Sequence, residues 1–201
     1  MKTLTEKEAE DFLEKNSFNV VQRQLVRSKS NLKKINIDFP WVMKISSSHI
    51  IHKAKLGGTI LNITNISQAE KAFDKLMKIN ACKKNKCFGV LVQPMIKGQE
   101  LIIGLKNTPE FGHVILVGAG GSEVEELKDT SFRICPITTK DSSSMLKDLK
   151  INISNKKELS KNLLKISALT KRYPKIKELD INPLILNKLE AVVVDARIFF
   201  D

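Results

Sequence analysis

Residues 178–199 read ELDINPLILNKLEAVVVDARIF, two apolar runs joined by a short polar stretch. Runs this short, rich in Ile, Leu and Val, fit two paired strands better than a helix. With the turn at Asn187–Glu190, Leu186 pairs with Ala191 and Asn182 comes opposite Asp195. Asp180 and Asn182 are two residues apart, so a strand puts them on one face. Three oxygen-bearing side chains then gather on a ribbon that is otherwise Ile, Leu and Val. A carboxylate in such surroundings is costly unless something compensates it. Magnesium is one compensator, because it takes oxygen ligands and commonly one or two carboxylates together with substrate phosphates. An ion pair of Asp195 with Arg197 or Lys44 at a strand end is the other.

The rest of the chain mixes strands and helices without a regular βαβ rhythm. A helix is expected over Leu4–Asn16, opened by a Thr5-x-x-Glu8 capping box and striped by Ala9, Phe12 and Leu13. Strands are expected at 40–45, 59–63, 88–92, 100–105, 113–117 and 131–137. Further helices are expected over Ser67–Met77, with Ser67 and Glu70 as a second capping box, and near 141–149 and 157–172. Residues 17–38 give no clear pattern. Antiparallel neighbours of this kind predict an α+β architecture rather than one doubly wound sheet.

Composition narrows the function classes. The chain has 201 residues, 42% of them hydrophobic, so it can bury a core built from Leu, Ile and Val. No run of 18 apolar residues occurs, and the charged start lacks the apolar centre of a signal peptide, so the expectation is a cytoplasmic protein with no membrane partner. Cys82, Cys87 and Cys135 have no histidine nearby at ligand spacing and read as reduced thiols rather than a zinc site. The net charge of +12 suits anionic partners. The lysines are nevertheless spread along the whole chain without interleaved aromatics, so a solvated surface is expected rather than a nucleic-acid groove.

Three further stretches hold residues able to carry chemistry. Lys44 interrupts the apolar run PWVMKI; it points at an anionic ligand in a cleft, or it guards a strand edge. The stretch SSSHIIHKAKLGG, from Ser46 to Gly58, joins His49, His52, Lys53 and the pair Gly57-Gly58. It is a phosphate-handling loop or a solvated one. GAGG, Gly118–Gly121, follows the strand HVILV; its N–H groups can approach a phosphate or an acidic group closely, or it is a tight turn.

In order along the chain, FPWVMKISSSHIIHKAKLGG, GVLVQPMIKGQELIIGLKNTPEFGHVILVGAGG, VEELKDTSFRICPIT and ELDINPLIL with VVVDARI resemble the ATP-grasp beta subunit of ADP-forming acetyl-CoA (acyl-CoA) synthetases. The resemblance covers nearly the whole chain and is poorest over 19–38 and 150–157. It implies an ATP-grasp fold, two α/β lobes with nucleotide between them. The N-terminal helix would occupy 1–18, the N-terminal lobe 19–95 and the C-terminal lobe 96–201.

The same resemblance implies roles. Lys44 matches a lysine that contacts nucleotide phosphates. His52, Lys53, Gly57 and Gly58 match the HK…GG loop; a largely neutral imidazole on a loop freed by Gly57-Gly58 makes His52 the expected catalytic phosphate relay, against a merely solvated histidine. Gln93 to Met95 match the linker that hydrogen-bonds adenine, and Glu100 the acidic residue beyond it. Asn182 and Asp195 match magnesium ligands, and Glu125, Asp129 and Arg133 fall on the motif after the glycines. Pro94 departs from the family pattern, replacing an acidic residue and removing a backbone donor. The implied reaction is acyl-CoA, phosphate and ADP to acid, CoA and ATP, reversibly, through a phosphohistidine on a CoA-binding alpha subunit. The implied cofactor is Mg2+, with ATP or ADP as substrate, and the implied assembly an alpha2-beta2 heterotetramer. A catalytically silent nucleotide-binding subunit is the alternative.

Overall fold

The computed structural model describes residues 2–47, 56–79, 87–121 and 129–201. The chain divides into two units, one of Met1–Leu4, Ala9–Val20 and Lys97–Asp201, the other of Thr5–Glu8 and Val21–Ile96. It opens with strand β1 (Lys2–Thr3) and helix α1 (Glu6–Lys15). The expected capping box is present: the Thr5 N–H donates to Glu8 Oε2 at 2.7 Å and the Glu8 N–H to Thr5 Oγ1 at 3.3 Å. Ala9 and Leu13, four apart, are fully buried.

The smaller unit holds strands β2 (Gln24–Val26), β3 (Trp41–Ser46), β4 (Thr59–Ile63) and β5 (Gly89–Pro94), with helix α2 (Ile66–Met77). A 3-10 helix spans Lys29–Lys34. The strands form an antiparallel sheet in the order β2-β5-β3-β4. Ala69, Ala72, Phe73 and Leu76 of α2 share a core with Trp41, Met43 and Ile45 of β3. The α2 cap differs from expectation. Asn65, not Ser67, is the cap: its side chain accepts from the Gln68 N–H at 3.0 Å, and Gln68 Oε1 accepts from the Thr64 N–H at 2.9 Å. Asn65 keeps an extended backbone while Ser67 is already inside the first turn, so the cap sits two residues earlier, and Gln68 reaches back to Thr64 rather than to the cap itself.

The larger unit holds β6 (Gln99–Thr108), β7 (Gly112–Ala119), β8 (Thr130–Ile134), β9 (Ile176–Leu186), β10 (Ala191–Val193) and β11 (Ala196–Phe200). Its sheet runs β1-β11-β9-β6-β7-β8, with β10 also paired to β9, and these pairs are antiparallel as expected. Helices α3 (Thr139–Asp148) and α4 (Lys156–Arg172) belong to the same core. In α4 the buried residues Leu159, Leu163, Ile166 and Leu169 follow helical spacing and share that core with Leu101, Ile103, Leu105, Leu179 and Ile181.

The terminal hairpin has the expected register. Leu186 faces Ala191, and further along Ile181 faces Ala196 and Asp180 faces Arg197. The Asn187 N–H closes the turn on the Glu190 carbonyl at 2.9 Å. On its other side β9 shifts register against β6: Leu101 faces Leu184, but Ile103 faces Ile181. One extra residue on β9 is therefore accommodated at Asn182–Pro183, a bulge that re-aims the side chains there.

Candidate functional site

The bulge in β9 lies level with the break between β10 and β11 at Val194–Asp195. The Asn182 N–H donates to the Asp195 carbonyl at 3.1 Å, so the two residues are side by side. Asn182 Oδ1 accepts the Gly121 N–H at 3.2 Å. Asp180, two residues back, faces Arg197 on one strand and Gly104 on the other. Burial pushes the Asp180 carboxyl up to about 6; Arg197 opposes that rise, while Asp195 and Glu178 add to it. An amide oxygen and two carboxylates thus belong to one stretch of a partly desolvated ribbon, with Asp195 close enough to act on Asp180. Among the described residues no group of three His, Cys, Asp or Glu side chains has metal-ligand placement. Hard oxygen donors from one amide and one or two carboxylates nevertheless fit magnesium, which completes its shell with water and phosphate oxygens.

The glycines after β7 explain how Asn182 is held. A Cβ on Gly120 would meet the backbone of Leu101 at 2.5–2.6 Å, and one on Gly121 would lie 2.0 Å from Glu100 Oε2. The Gly120 N–H donates to the Glu100 carbonyl at 2.9 Å. Gly121 also adopts φ +74, the left-handed region that glycine enters without penalty. The Gly120 N–H thus meets a backbone carbonyl and the Gly121 N–H the Asn182 amide oxygen, with the Glu100 carboxylate packed beside Gly121. Glu100, Gly121 and Asn182 come together; the sequence had assigned the first and last without linking them.

Lys44 lies in the smaller unit. β3 is flanked by β5 and β4, with Lys44 facing Leu91 and Thr59, so the lysine does not guard an edge. Its side chain is 7% exposed and its ammonium lies 3.0 Å from Glu6 Oε1, a carboxylate that is fully buried. The sequence reading missed Glu6. A strand lysine between apolar neighbours demands an anion, and that demand was the available signal.

The remaining assigned residues separate by context. Gly57 adopts φ +68 in the turn before β4, and the Gly58 carbonyl accepts the Ile45 N–H at 2.9 Å, beside Lys44. Gln93 is buried in β5 opposite Val42. The Met95 N–H is committed to the Pro40 carbonyl at 2.8 Å. Pro94 opposite Trp41 is then a non-hydrogen-bonded pair, so its missing N–H takes nothing from the β3–β5 ladder. The buried Asp129 carboxylate accepts the N–H groups of Lys150 and Ile151 at 2.9–3.0 Å, pinning the connection after α3. Arg133 donates to Asp148 Oδ2 at 2.8 Å and to Ser144 at 3.1 Å, a scaffold on α3. His49, His52, Lys53 and Glu125 lie outside the described residues. Cys135 is free, but Cys87 is disulfide-bonded, which corrects the expectation of reduced thiols at that position.

A sequence model of the ATP-grasp domain matches residues 1–200. The chain is 35% identical to the subunit beta of acetate–CoA ligase (ADP-forming) I of Pyrococcus furiosus, over 96% of this chain and 90% of that one. Its fold superposes with TM-score 0.90 on acetyl-coenzyme A synthetase 1 of Ca. Korarchaeum cryptofilum, solved with coenzyme A, Ca-AMPCP and HgCl+. That match is 30% identical and covers 100% of this chain and 94% of the other. A second structure of the same synthetase superposes with TM-score 0.80 at 30% identity, covering 100% and 93% of the two chains. It holds coenzyme A and Mg-AMPPCP, with a phosphohistidine segment pointing towards the nucleotide binding site.

Proposed function

Because the chain belongs to the ATP-grasp family, we propose that it is the beta subunit of an ADP-forming acyl-CoA synthetase, a cytoplasmic ligase working with a CoA-binding alpha subunit. Together they convert acyl-CoA, phosphate and ADP to free acid, CoA and ATP, reversibly. The observation that carries this reading is the end-to-end likeness to a chain named as that subunit. The division into an N-terminal helix (1–18) and lobes at 19–95 and 96–201, and the alpha2-beta2 assembly, belong to the same reading.

In this reading Lys44 contacts nucleotide phosphates, and Gln93, Met95 and Glu100 hold the rest of the nucleotide. Asn182 and Asp195 hold Mg2+, which screens charge on the phosphates when bound. His52 takes the phosphoryl group from the phosphohistidine of the alpha subunit. A P–N bond to one imidazole breaks as another forms, and the group then passes to the terminal oxygen of ADP. Lys53 screens the charge in transit, and Gly57-Gly58 supplies backbone freedom. Co-expression with a candidate alpha subunit and assay of acyl-CoA-dependent ATP formation tests the whole; nucleotide binding without turnover would leave only a silent subunit. His52→Ala should abolish ATP formation while His49→Ala retains it, and ATP made at the wild-type rate by His52→Ala rejects the relay. Asp195→Asn should fold normally and lose magnesium-dependent turnover, and retained turnover removes the metal assignment.

A further inference from the structure

Nucleotide binding asks for an ammonium that is charged and already aimed. Lys44 has a fixed base, because β3 is paired on both sides and Ile45 is tied to the Gly58 carbonyl. Its tip is a different matter. Four flexible methylenes separate the ammonium from that fixed Cα, and burial disfavours the charged form. Glu6 answers both problems at once. Its carboxylate is fully buried and lies 3.0 Å from the ammonium. It sits in the first turn of α1, where the helix dipole and unpaired N–H groups favour a negative charge. The other acid of that turn, Glu8, turns back to close the capping box with Thr5. The two acids of one turn therefore do separate jobs: one sets where the helix begins, and the other meets the strand lysine.

We propose that Glu6 is a positioning residue for nucleotide phosphate: the buried Glu6 carboxylate holds the Lys44 ammonium charged and pointed where the phosphates of ADP arrive. An ammonium carries three N–H donors, enough in number to serve a carboxylate and a phosphate together. The inference rests on the reading of Lys44 as a phosphate contact and adds a residue that this reading leaves without a role.

The test uses the chain assembled with its alpha subunit and the variants Glu6→Gln, Glu6→Asp and Lys44→Met. Loss of a hydrogen bond to a charged group predicts that Glu6→Gln raises the KM for ADP by about 10- to 100-fold. The KM for acyl-CoA should stay unchanged. Glu6→Asp, which keeps the charge one methylene short, should fall between Glu6→Gln and wild type. A Glu6→Gln enzyme that melts lower but keeps the wild-type KM for ADP makes Glu6 a structural anchor and overturns the proposal. Should Glu6→Gln fail to fold, Glu6→Asp decides: a raised KM for ADP alone supports positioning, and a wild-type KM overturns it. Lys44→Met separates the two claims. If it leaves the KM for ADP unchanged, the phosphate reading of Lys44 fails. If it raises that KM while Glu6→Gln does not, only the positioning role fails.

Discussion

Single residues here owe their placement to what a neighbour leaves open. Gly121 is the sharpest case, since a methyl group there would occupy the space of the Glu100 carboxylate and sit on a backbone at φ +74. Gly121→Ala should cost about 1 kcal/mol of backbone strain and displace Glu100. The expected readout is a weaker dissociation constant for Mg-ADP with an unchanged circular dichroism spectrum; an unchanged constant would separate Glu100 from the nucleotide. The facing of Asn182 and Asp195 was legible in the sequence because it depends on local facts, a short turn and a period of two. The Glu6–Lys44 pair was not, because 38 residues separate the partners and no local pattern relates a helix start to a distant strand. The Gly121–Asn182 bond spans 61 residues and was hidden for the same reason.

At the level of elements, one reciprocal cap was legible, Thr5 with Glu8 at α1, while the Thr138–Asp141 box that opens α3 was not expected. The Thr5–Glu8 box forms where the sequence puts it, whereas at α2 Asn65, not the expected Ser67, caps the helix. Strand β2 escaped notice because three residues are too few to display alternation. The start of α3 allows a test by pH. Thr138 hydrogen bonds, from its backbone N–H first and its hydroxyl second, hold the Asp141 carboxyl below the usual carboxylate range. A depressed folded-state pKa adds stability above the unfolded value of about 3.9, and that stability is lost as pH falls through the lower folded-state value. Urea unfolding from neutral to acid pH should therefore show wild type more stable than Asp141→Asn at neutral pH, with the gap closing below about pH 4. A gap independent of pH would remove the capping carboxylate from the acid response.

At the scale of the whole molecule, the larger sheet is assembled from distant parts of the chain. β6 pairs on one side with its sequence neighbour β7 and on the other with β9, which begins at Ile176. β1 pairs with β11 through Lys2 with Phe200 and Thr3 with Phe199, and the Leu4 N–H donates to the Ile198 carbonyl at 3.1 Å. Such pairing gives the chain high contact order, which slows folding because long loops must close first. During synthesis β1 has no strand to join until β11 has been made, so the first residues wait exposed for the last. The same adjacency makes circular permutation feasible: a short linker can join the two ends, and new ends can open at the exposed turn Pro109–Phe111. The permutant should unfold cooperatively and bind nucleotide as the parent does, and in it β1 would follow β11 directly, turning the most distant pairing of the sheet into a hairpin.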